Sequence, residues 1–212
     1  IYGLTKGQFS ATSPVGKVSK STPLGSLDTP FNPLAVALGA EASFVARTHD
    51  LDRKHMQEVF RRAHEHRGAA FVEIYQNCNV FNDGAFDPIL TKDKRPDMLV
   101  NLKHGEPMLF GSEQEKGVRL NEYGEAQIVS VADVGIDAVL VHDEHRHDAT
   151  VAFALSRLAE QPTSPTPVGV FRAVERPTYE AEVQAQLGRA QAEHGPGDLR
   201  TLIESGGVWD VS

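Results

Sequence analysis

The single cysteine of the chain, Cys78, is the residue whose type offers the most specific chemistry. It follows Gln76 and Asn77, directly after an apolar run at residues 69–75. A thiolate is the usual ligand of an iron–sulfur cluster, but a cluster takes about four of them, so the other ligands would have to come from elsewhere. The alternative is an inert buried thiol, which is the common state of an isolated cysteine.

A second set of candidate ligands lies at residues 142–148, where histidines and carboxylates are interspersed. The members are His142, Asp143, Glu144, His145, His147 and Asp148. Imidazole and carboxylate groups are ligands of zinc. The run also lies between a predicted strand and a predicted helix, so Asp148 can cap the helix while the other side chains face water. We favour this solvated-loop interpretation and keep a zinc site as the alternative.

Residues 1–31 are rich in glycine, proline, serine and threonine, and this composition predicts a long loop. A loop of that length usually binds a ligand. The alternative is a flexible terminus. Within it, Lys6 and Lys20 can bind carboxylate or phosphate groups. They can equally be solvated lysines, and both interpretations stay open.

The elements that must position Cys78 form a predicted β-α-β unit. Residues 43–47 and 69–75 are apolar runs typical of buried strands. Between them, residues 50–67 predict a helix with one apolar face. The two strands should be parallel, and ligands of open parallel sheets bind beyond the carboxyl ends of the strands. Cys78 is expected at such an edge.

The remaining pattern predicts a mixed set of shorter elements. A short helix is expected to begin after the cap Asn32, with Pro33 in its first turn, and to end at Gly39. Residues 82–106 look loop-like. Strands are predicted at 108–110, 126–131, 138–141 and 168–171, and helices at 149–159, 178–193 and 198–205.

Composition excludes several classes. The chain has 212 residues, is 40% hydrophobic and carries a net charge of −8, which argues against disorder and against a nucleic-acid partner. The charge is concentrated in residues 107–212, with 8 basic and 17 acidic side chains. No apolar run is long enough for a membrane span, and no signal peptide begins the sequence. With one cysteine and no disulfide, a cytoplasmic location is expected. Dinucleotide, P-loop, zincin and hydrolase motifs are all missing.

Six segments resemble one known family. The block Ile1-Tyr2-Gly3-Leu4-Thr5-Lys6-Gly7-Gln8 and residues 12–14, 20–26, 76–86, 167–179 and 207–211 are similar to the β subunits of 2-oxoacid:ferredoxin oxidoreductases, and most similar to the actinobacterial 2-oxoglutarate type. The resemblance covers nearly the whole chain. It implies an α/β fold, with the parallel sheet of the thiamine-diphosphate-binding fold followed by a smaller mixed C-terminal region.

The resemblance also implies cofactors and site residues. The family binds thiamine diphosphate, Mg²⁺ and a four-iron four-sulfur cluster. By this resemblance the main-chain carbonyl of Ile1 binds Mg²⁺, Gly3, Leu4 and Thr5 contact thiamine diphosphate, and Cys78 ligates the cluster. Leu4 and Lys6 lie at the substrate pocket. No catalytic base is assigned, because the family takes its base from the partner subunit.

The implied function is oxidative decarboxylation of 2-oxoglutarate with coenzyme A to succinyl-CoA and CO₂, with reduction of ferredoxin. The implied partner is an α subunit, in an α2β2 heterotetramer. The alternatives are a pyruvate-preferring enzyme of the same family and a non-catalytic assembly fragment that docks the α subunit. We divide the chain into residues 1–76, the thiamine-binding half, 77–160, the region with Cys78, and 161–212, a linker and helical tail. The family's upstream half, with its other cluster cysteines and magnesium ligands, is not in these 212 residues. Alone, they are not expected to be active.

Overall fold

The computed structural model describes residues 6–160, 163–209 and 211. They form two compact units, one up to Glu175 and one from Arg176 onward. The predicted boundaries after residues 76 and 160 stay predictions. Among the described residues no helix has both the length and the apolar character that crossing a bilayer requires.

The first unit contains short helices and two sheets. Its helices are α1 (Pro33–Gly39), α2 (Arg53–Glu65), α3 (Asp87–Leu90), α4 (Arg95–Met98), α5 (Val131–Val134) and α6 (Thr150–Leu158), with a 3-10 turn at Ile136–Ala138. Its strands are β1 (Phe44–His49), β2 (Ala70–Tyr75), β3 (Leu99–Leu102), β4 (Leu109–Phe110), β5 (Lys116–Leu120), β6 (Ala126–Ser130) and β7 (Thr166–Ala173). The second unit consists of α7 (Tyr179–His194) and α8 (Leu199–Glu204).

The larger sheet has the strand order β2-β1-β7-β3. β1 and β2 are parallel, which confirms the predicted β-α-β unit, and β3 is parallel to β7. β7 runs antiparallel to β1, so the sheet is mostly but not wholly parallel. The predicted α/β class is confirmed. The smaller sheet, β4-β5-β6, is antiparallel throughout.

Helices cover both faces of the larger sheet. Val45 packs with Leu34 of α1 and Leu155 of α6 in one buried cluster. Phe44, on the opposite face of β1, packs with Val59 of α2 in another. Since neighbouring residues of a strand point to opposite faces, this sandwiching explains why every residue of β1 is buried.

Several sequence expectations differ from the structure. Residues 138–141 do not form a strand. Leu140 O accepts a hydrogen bond from Met108 N, and Leu140 N donates to Val118 O, but these bonds do not continue into a ladder. The loop predicted at residues 82–106 contains α3, α4 and β3, and β5 was not predicted at all. α3 and α4 are four residues each, too short to give a periodic pattern.

The first testable prediction concerns Asn32, the predicted cap of α1. Its Oδ1 accepts a hydrogen bond from Ala35 N at 3.0 Å, and its Nδ2 donates to Ser156 O at 2.8 Å and to Glu160 Oε1 at 2.9 Å. Asn32 therefore ties α1 to α6. We expect Asn32→Ala to lower the free energy of unfolding by about 1–2 kcal/mol. Asn32→Asp keeps the cap but loses both donors, so it should retain part of that free energy. Equal urea midpoints for Asn32→Ala and wild type would contradict this.

Candidate cofactor-binding edge of the sheet

The carboxyl ends of β1 and β2 meet at one edge of the sheet. Asp50 N donates to Tyr75 O at 3.1 Å, and Asp50 Oδ2 accepts from Asn77 N at 3.1 Å. The chain leaving β1 is thereby bonded to the chain leaving β2. Cys78 lies three residues past the end of β2 and is half-buried, as the parallel topology predicted.

The Cys78 loop, defined here as residues 77–84, is closed by the side chain of Asn77. Asn77 Nδ2 donates to Asp83 Oδ1 at 2.8 Å, and Asn77 Oδ1 accepts from Gly84 N at 3.0 Å. Asn82 N donates to Cys78 O at 2.9 Å. These bonds fix the backbone on both sides of the cysteine.

Two aromatic rings lie at the base of this loop. Tyr75 precedes the loop and Phe86 follows it, and their rings stack with centroids 4.6 Å apart. The Arg47 guanidinium lies 5.1 Å from the centre of the Tyr75 ring. Burial raises the pKa of Tyr75 to about 12, so its hydroxyl stays protonated at neutral pH. The stack joins the residues on either side of the Cys78 loop.

The glycine-rich N-terminal segment lies against the same loop. We use the term N-terminal loop for its described part, residues 6–31. Lys17 Nζ donates a hydrogen bond to Asn82 Oδ1, and Gly7 faces the ring of Phe81. These contacts bring the end of the Ile1–Gln8 block and the segment after it against the Cys78 loop. Nothing in the local sequence signalled the pairing, because the contacting residues are 65 and 74 positions apart.

Ser26 organises the N-terminal loop internally. Its side chain is buried, and its Oγ accepts from Lys17 N at 3.1 Å and donates to Pro14 O at 3.0 Å. Its backbone accepts from Gly16 N at 2.7 Å. The loop is therefore held by its own hydrogen bonds and presents Lys17 toward Asn82.

The predicted site residues divide into two groups. Ile1, Gly3, Leu4 and Thr5 lie outside the described residues, so their roles stay predictions. Lys6 is exposed and has a left-handed backbone, with φ of 69°; Lys20 is exposed. The described contacts do not test whether either lysine binds a carboxylate or a phosphate group. The predicted roles of Lys6 and Lys20 therefore also remain predictions.

The second prediction tests the contact between Gly7 and Phe81. Gly7 has φ of 65°, and a Cβ built on it would lie 3.2 Å from Phe81 Cδ1. Gly7→Ala should therefore strain the backbone and push Phe81, loosening the Cys78 loop. We expect faster amide hydrogen exchange at residues 77–84.

Gly124→Ala is the matched control for this substitution. Gly124 also has a left-handed φ, of 80°, but a Cβ there would meet nothing within 4 Å. Gly124→Ala should carry a similar backbone cost and leave exchange in the Cys78 loop unchanged. Equal exchange in the two variants would refute the contact.

A separate cleft lies between α1, α6 and the turn that joins β5 to β6. Its volume is about 860 Å³, and its lining includes Leu38, Glu41, Phe153 and Arg157. None of its lining residues belongs to the Cys78 loop or the N-terminal loop. The cleft is therefore not the predicted cofactor edge.

The chain is similar in sequence to several known proteins. Residues 1–74 match the family model of the thiamine pyrophosphate enzyme C-terminal TPP-binding domain. The chain is 48% identical over its whole length to the 2-oxoglutarate oxidoreductase subunit KorB of Mycobacterium tuberculosis, of which it covers 57%. It is 40% identical over 83 residues, 39% of the chain and 27% of the relative, to a 2-oxoacid:ferredoxin oxidoreductase β subunit of Saccharolobus solfataricus.

A solved structure gives the same result for the fold. The 2-oxoglutarate:ferredoxin oxidoreductase of Magnetococcus marinus, solved with 2-oxoglutarate, coenzyme A and succinyl-CoA bound, aligns with a TM-score of 0.63 and 25% identity. The alignment covers 98% of this chain and 55% of that one. The chain thus spans just over half the length of these two full-coverage matches. In sequence and in fold the chain is thus similar over its whole length to the β subunits of 2-oxoacid:ferredoxin oxidoreductases.

Proposed function

We propose that this chain is part of the β subunit of a thiamine-diphosphate-dependent oxidoreductase. The enzyme would convert 2-oxoglutarate and coenzyme A to succinyl-CoA and CO₂ while reducing ferredoxin. The observation that carries the proposal is the contact between the N-terminal loop and the Cys78 loop at the carboxyl edge of β1 and β2. It supports the proposal because the resemblance assigns thiamine diphosphate to the block directly before Lys6 and the cluster to Cys78, and Gly7 and Lys17 contact the Cys78 loop.

The described residues fit a thiamine diphosphate site next to this edge. Lys6 and Gly7 both have left-handed φ angles, 69° and 65°, so the chain turns tightly directly after the Ile1–Thr5 block. In our proposal Gly3, Leu4 and Thr5 contact the cofactor, and the Ile1 carbonyl binds Mg²⁺, an ion that prefers oxygen ligands. When bound, thiamine diphosphate would supply the electron sink for decarboxylation. Leu4 and Lys6 would contact the substrate.

Cys78 fits one ligand position of a four-iron four-sulfur cluster. It is half-buried, and hydrogen bonds fix its loop on both sides. It is also the only cysteine among the 212 residues, so three other ligands must be provided by residues outside this sequence. A cluster at this edge would lie beside the segment that follows the cofactor block, which suits electron transfer to ferredoxin.

Exposed apolar side chains support a partner subunit. In the N-terminal loop, Leu24 is 99% exposed and Leu27 is 91% exposed. In the second unit, α8 exposes Leu199, Leu202 and Ile203, which share one face at helical spacing. Exposed apolar side chains that share one face are typical of protein interfaces. We propose that an α subunit covers them, in an α2β2 assembly.

An activity assay tests the proposed function. The β subunit, expressed at the full length of its gene together with its α subunit, should reduce ferredoxin only when both 2-oxoglutarate and coenzyme A are present. A higher kcat/KM with pyruvate than with 2-oxoglutarate would show that pyruvate is the preferred substrate. A colourless complex without iron and without activity would support the assembly fragment instead.

The third prediction concerns substrate choice at Leu4. In the proposed pocket Leu4 lies beside the side chain of the 2-oxoacid. Leu4→Asn places an amide where an apolar substrate tail would lie, and an unpaired polar group costs about 1–3 kcal/mol. We therefore expect the ratio of kcat/KM for 2-oxoglutarate to that for pyruvate to change by about 5- to 150-fold, with iron content unchanged. If both values fall together, Leu4 supports the cofactor and does not select the substrate.

A further inference from the structure

A cluster of metal-ligand side chains lies outside the proposed cofactor edge. His104, Glu144 and His145 each offer one ligand atom, and these atoms all lie within 4.8 Å of one another. Asp143 adds a second carboxylate, with Oδ1 3.5 Å from His104 Nδ1. Of the residues weighed from sequence, His142, His147 and Asp148 are not in this group. His104, nearly forty positions earlier in the chain, takes their place.

Backbone hydrogen bonds hold the two contributing loops together. Gly105 N donates to His142 O at 2.8 Å, and His142 N donates to Glu106 O at 2.9 Å. These bonds set His104 opposite residues 143–145. The position of His104 therefore follows from the backbone pairing and does not depend on a flexible side chain reaching across the surface.

The tautomer of His145 is set by β7. His145 Nδ1 lies 2.7 Å from Ala173 O, which is only an acceptor, so Nδ1 carries a hydrogen, and in the neutral ring Nε2 then has the free lone pair. A ring nitrogen fixed in this way by a backbone carbonyl is the usual arrangement behind a metal-binding histidine. Ala173 N also donates to Glu144 O at 2.7 Å, which fixes the neighbouring ligand.

The Nε2 atom of His145 lies beside a carboxylate. His145 Nε2 is 3.5 Å from Glu144 Oε1, and both atoms are acceptors when the ring is neutral. Two ligands of a tetrahedral zinc ion, each about 2.0–2.1 Å from the metal, lie about 3.4 Å from each other. The His145–Glu144 pair therefore has the spacing of two atoms that share a cation.

Arg62 holds the Glu144 carboxylate in place without using all of it. Arg62 Nη2 donates to Glu144 Oε1 at 2.7 Å, and the Glu144 side chain is only 7% exposed. A carboxylate has two oxygens and about four lone-pair positions, so capacity for a metal remains. His104 and His145 are about half exposed, so an ion can enter from solvent.

We propose that His104, Glu144 and His145 form a surface site for Zn²⁺, with Asp143 beside it. Two imidazoles with a carboxylate favour zinc over Mg²⁺ or Ca²⁺, which prefer oxygen ligands alone. The site would link the loop after β3 to the loop before α6 and, through Ala173, to β7. It is independent of the cluster and thiamine diphosphate sites.

Calorimetric titration of the full 212-residue chain with Zn²⁺, in a Cys78→Ser background, tests the site. The background removes the one thiolate that competes for zinc. We expect one binding event that Mg²⁺ does not reproduce. Titration with Co²⁺ should give the visible absorption bands of a tetrahedral complex.

Three histidine variants give the decisive comparison. His104→Gln and His145→Gln should each weaken Zn²⁺ binding on the order of tenfold or more. His147→Gln changes an exposed histidine of the same loop that lies outside the cluster. This variant should bind Zn²⁺ with the same affinity as the parent. Circular dichroism checks that each variant is folded. Equal zinc affinity in all three variants, or no binding by the parent, would overturn the proposal.

Discussion

Cys78→Ser is expected to abolish iron binding at the proposed cluster and, with it, ferredoxin reduction. A serine hydroxyl is a hard donor that stays protonated at neutral pH, whereas iron–sulfur clusters need soft thiolates. The substitution is nearly isosteric, and the Asn77 hydrogen bonds that close the loop do not involve the Cys78 side chain. The loop should therefore keep its conformation while losing the ligand.

The measurement uses the β subunit at the full length of its gene in complex with its α subunit. Iron content and the absorbance at about 400 nm should both fall, because the thiolate that holds the cluster is lost. Thiamine diphosphate binding should persist, because its proposed contacts lie in residues 1–5. Asn79→Ser, a change at the neighbouring exposed residue, is the control and should retain iron. Normal iron content in Cys78→Ser would show that Cys78 does not ligate the cluster.

Glu73→Ala is expected to be among the most destabilising single substitutions in the sheet. Arg47 and Glu73 are directly paired across β1 and β2, with Arg47 Nε 2.6 Å from Glu73 Oε2. Their side chains are only 3% and 16% exposed. Removing the carboxylate leaves a buried guanidinium charge without a counter-ion, which costs about 3–5 kcal/mol.

A paired variant separates the ion pair from simple loss of packing. Replacing both residues, as Arg47→Met with Glu73→Leu, removes the buried charge together with its partner and should recover most of the stability. Arg47 Nη1 also donates to Pro167 O at 3.3 Å, so recovery should be incomplete.

An exposed ion pair provides the surface control. Glu58 and Arg61 on α2 are both more than half exposed, and Glu58→Ala should leave the unfolding midpoint unchanged. Denaturation by guanidinium chloride measures all of these variants. If Glu73→Ala and Glu58→Ala shift the midpoint equally, the buried pair does not stabilise the sheet as proposed.

Local chemistry in the sequence determined where three of the described helices begin, whereas the predicted cap Asp148 was wrong, because Ala149 is the N-cap of α6. Asn32, Thr178 and Asp198 were expected at helix starts, and each accepts a hydrogen bond from a backbone N–H in the first turn of its helix. Such caps involve residues within about three positions of each other, so the sequence alone contains the needed information. The parallel pairing of β1 and β2 was also predictable, because a short crossover helix joins them.

Only the tertiary structure decided which distant segments meet. β7 pairs with β1 from more than a hundred residues away, Lys17 meets Asn82, and His104 joins Glu144 and His145. The sequence placed Cys78 at the edge of a sheet, but it did not place the N-terminal loop beside it. Long-range contacts depend on the fit of whole surfaces and on loop closure, which leave no local periodicity or spacing. The physical reason is that capping and strand alternation are short-range effects, whereas the sites of this protein are assembled by packing between segments far apart in the chain.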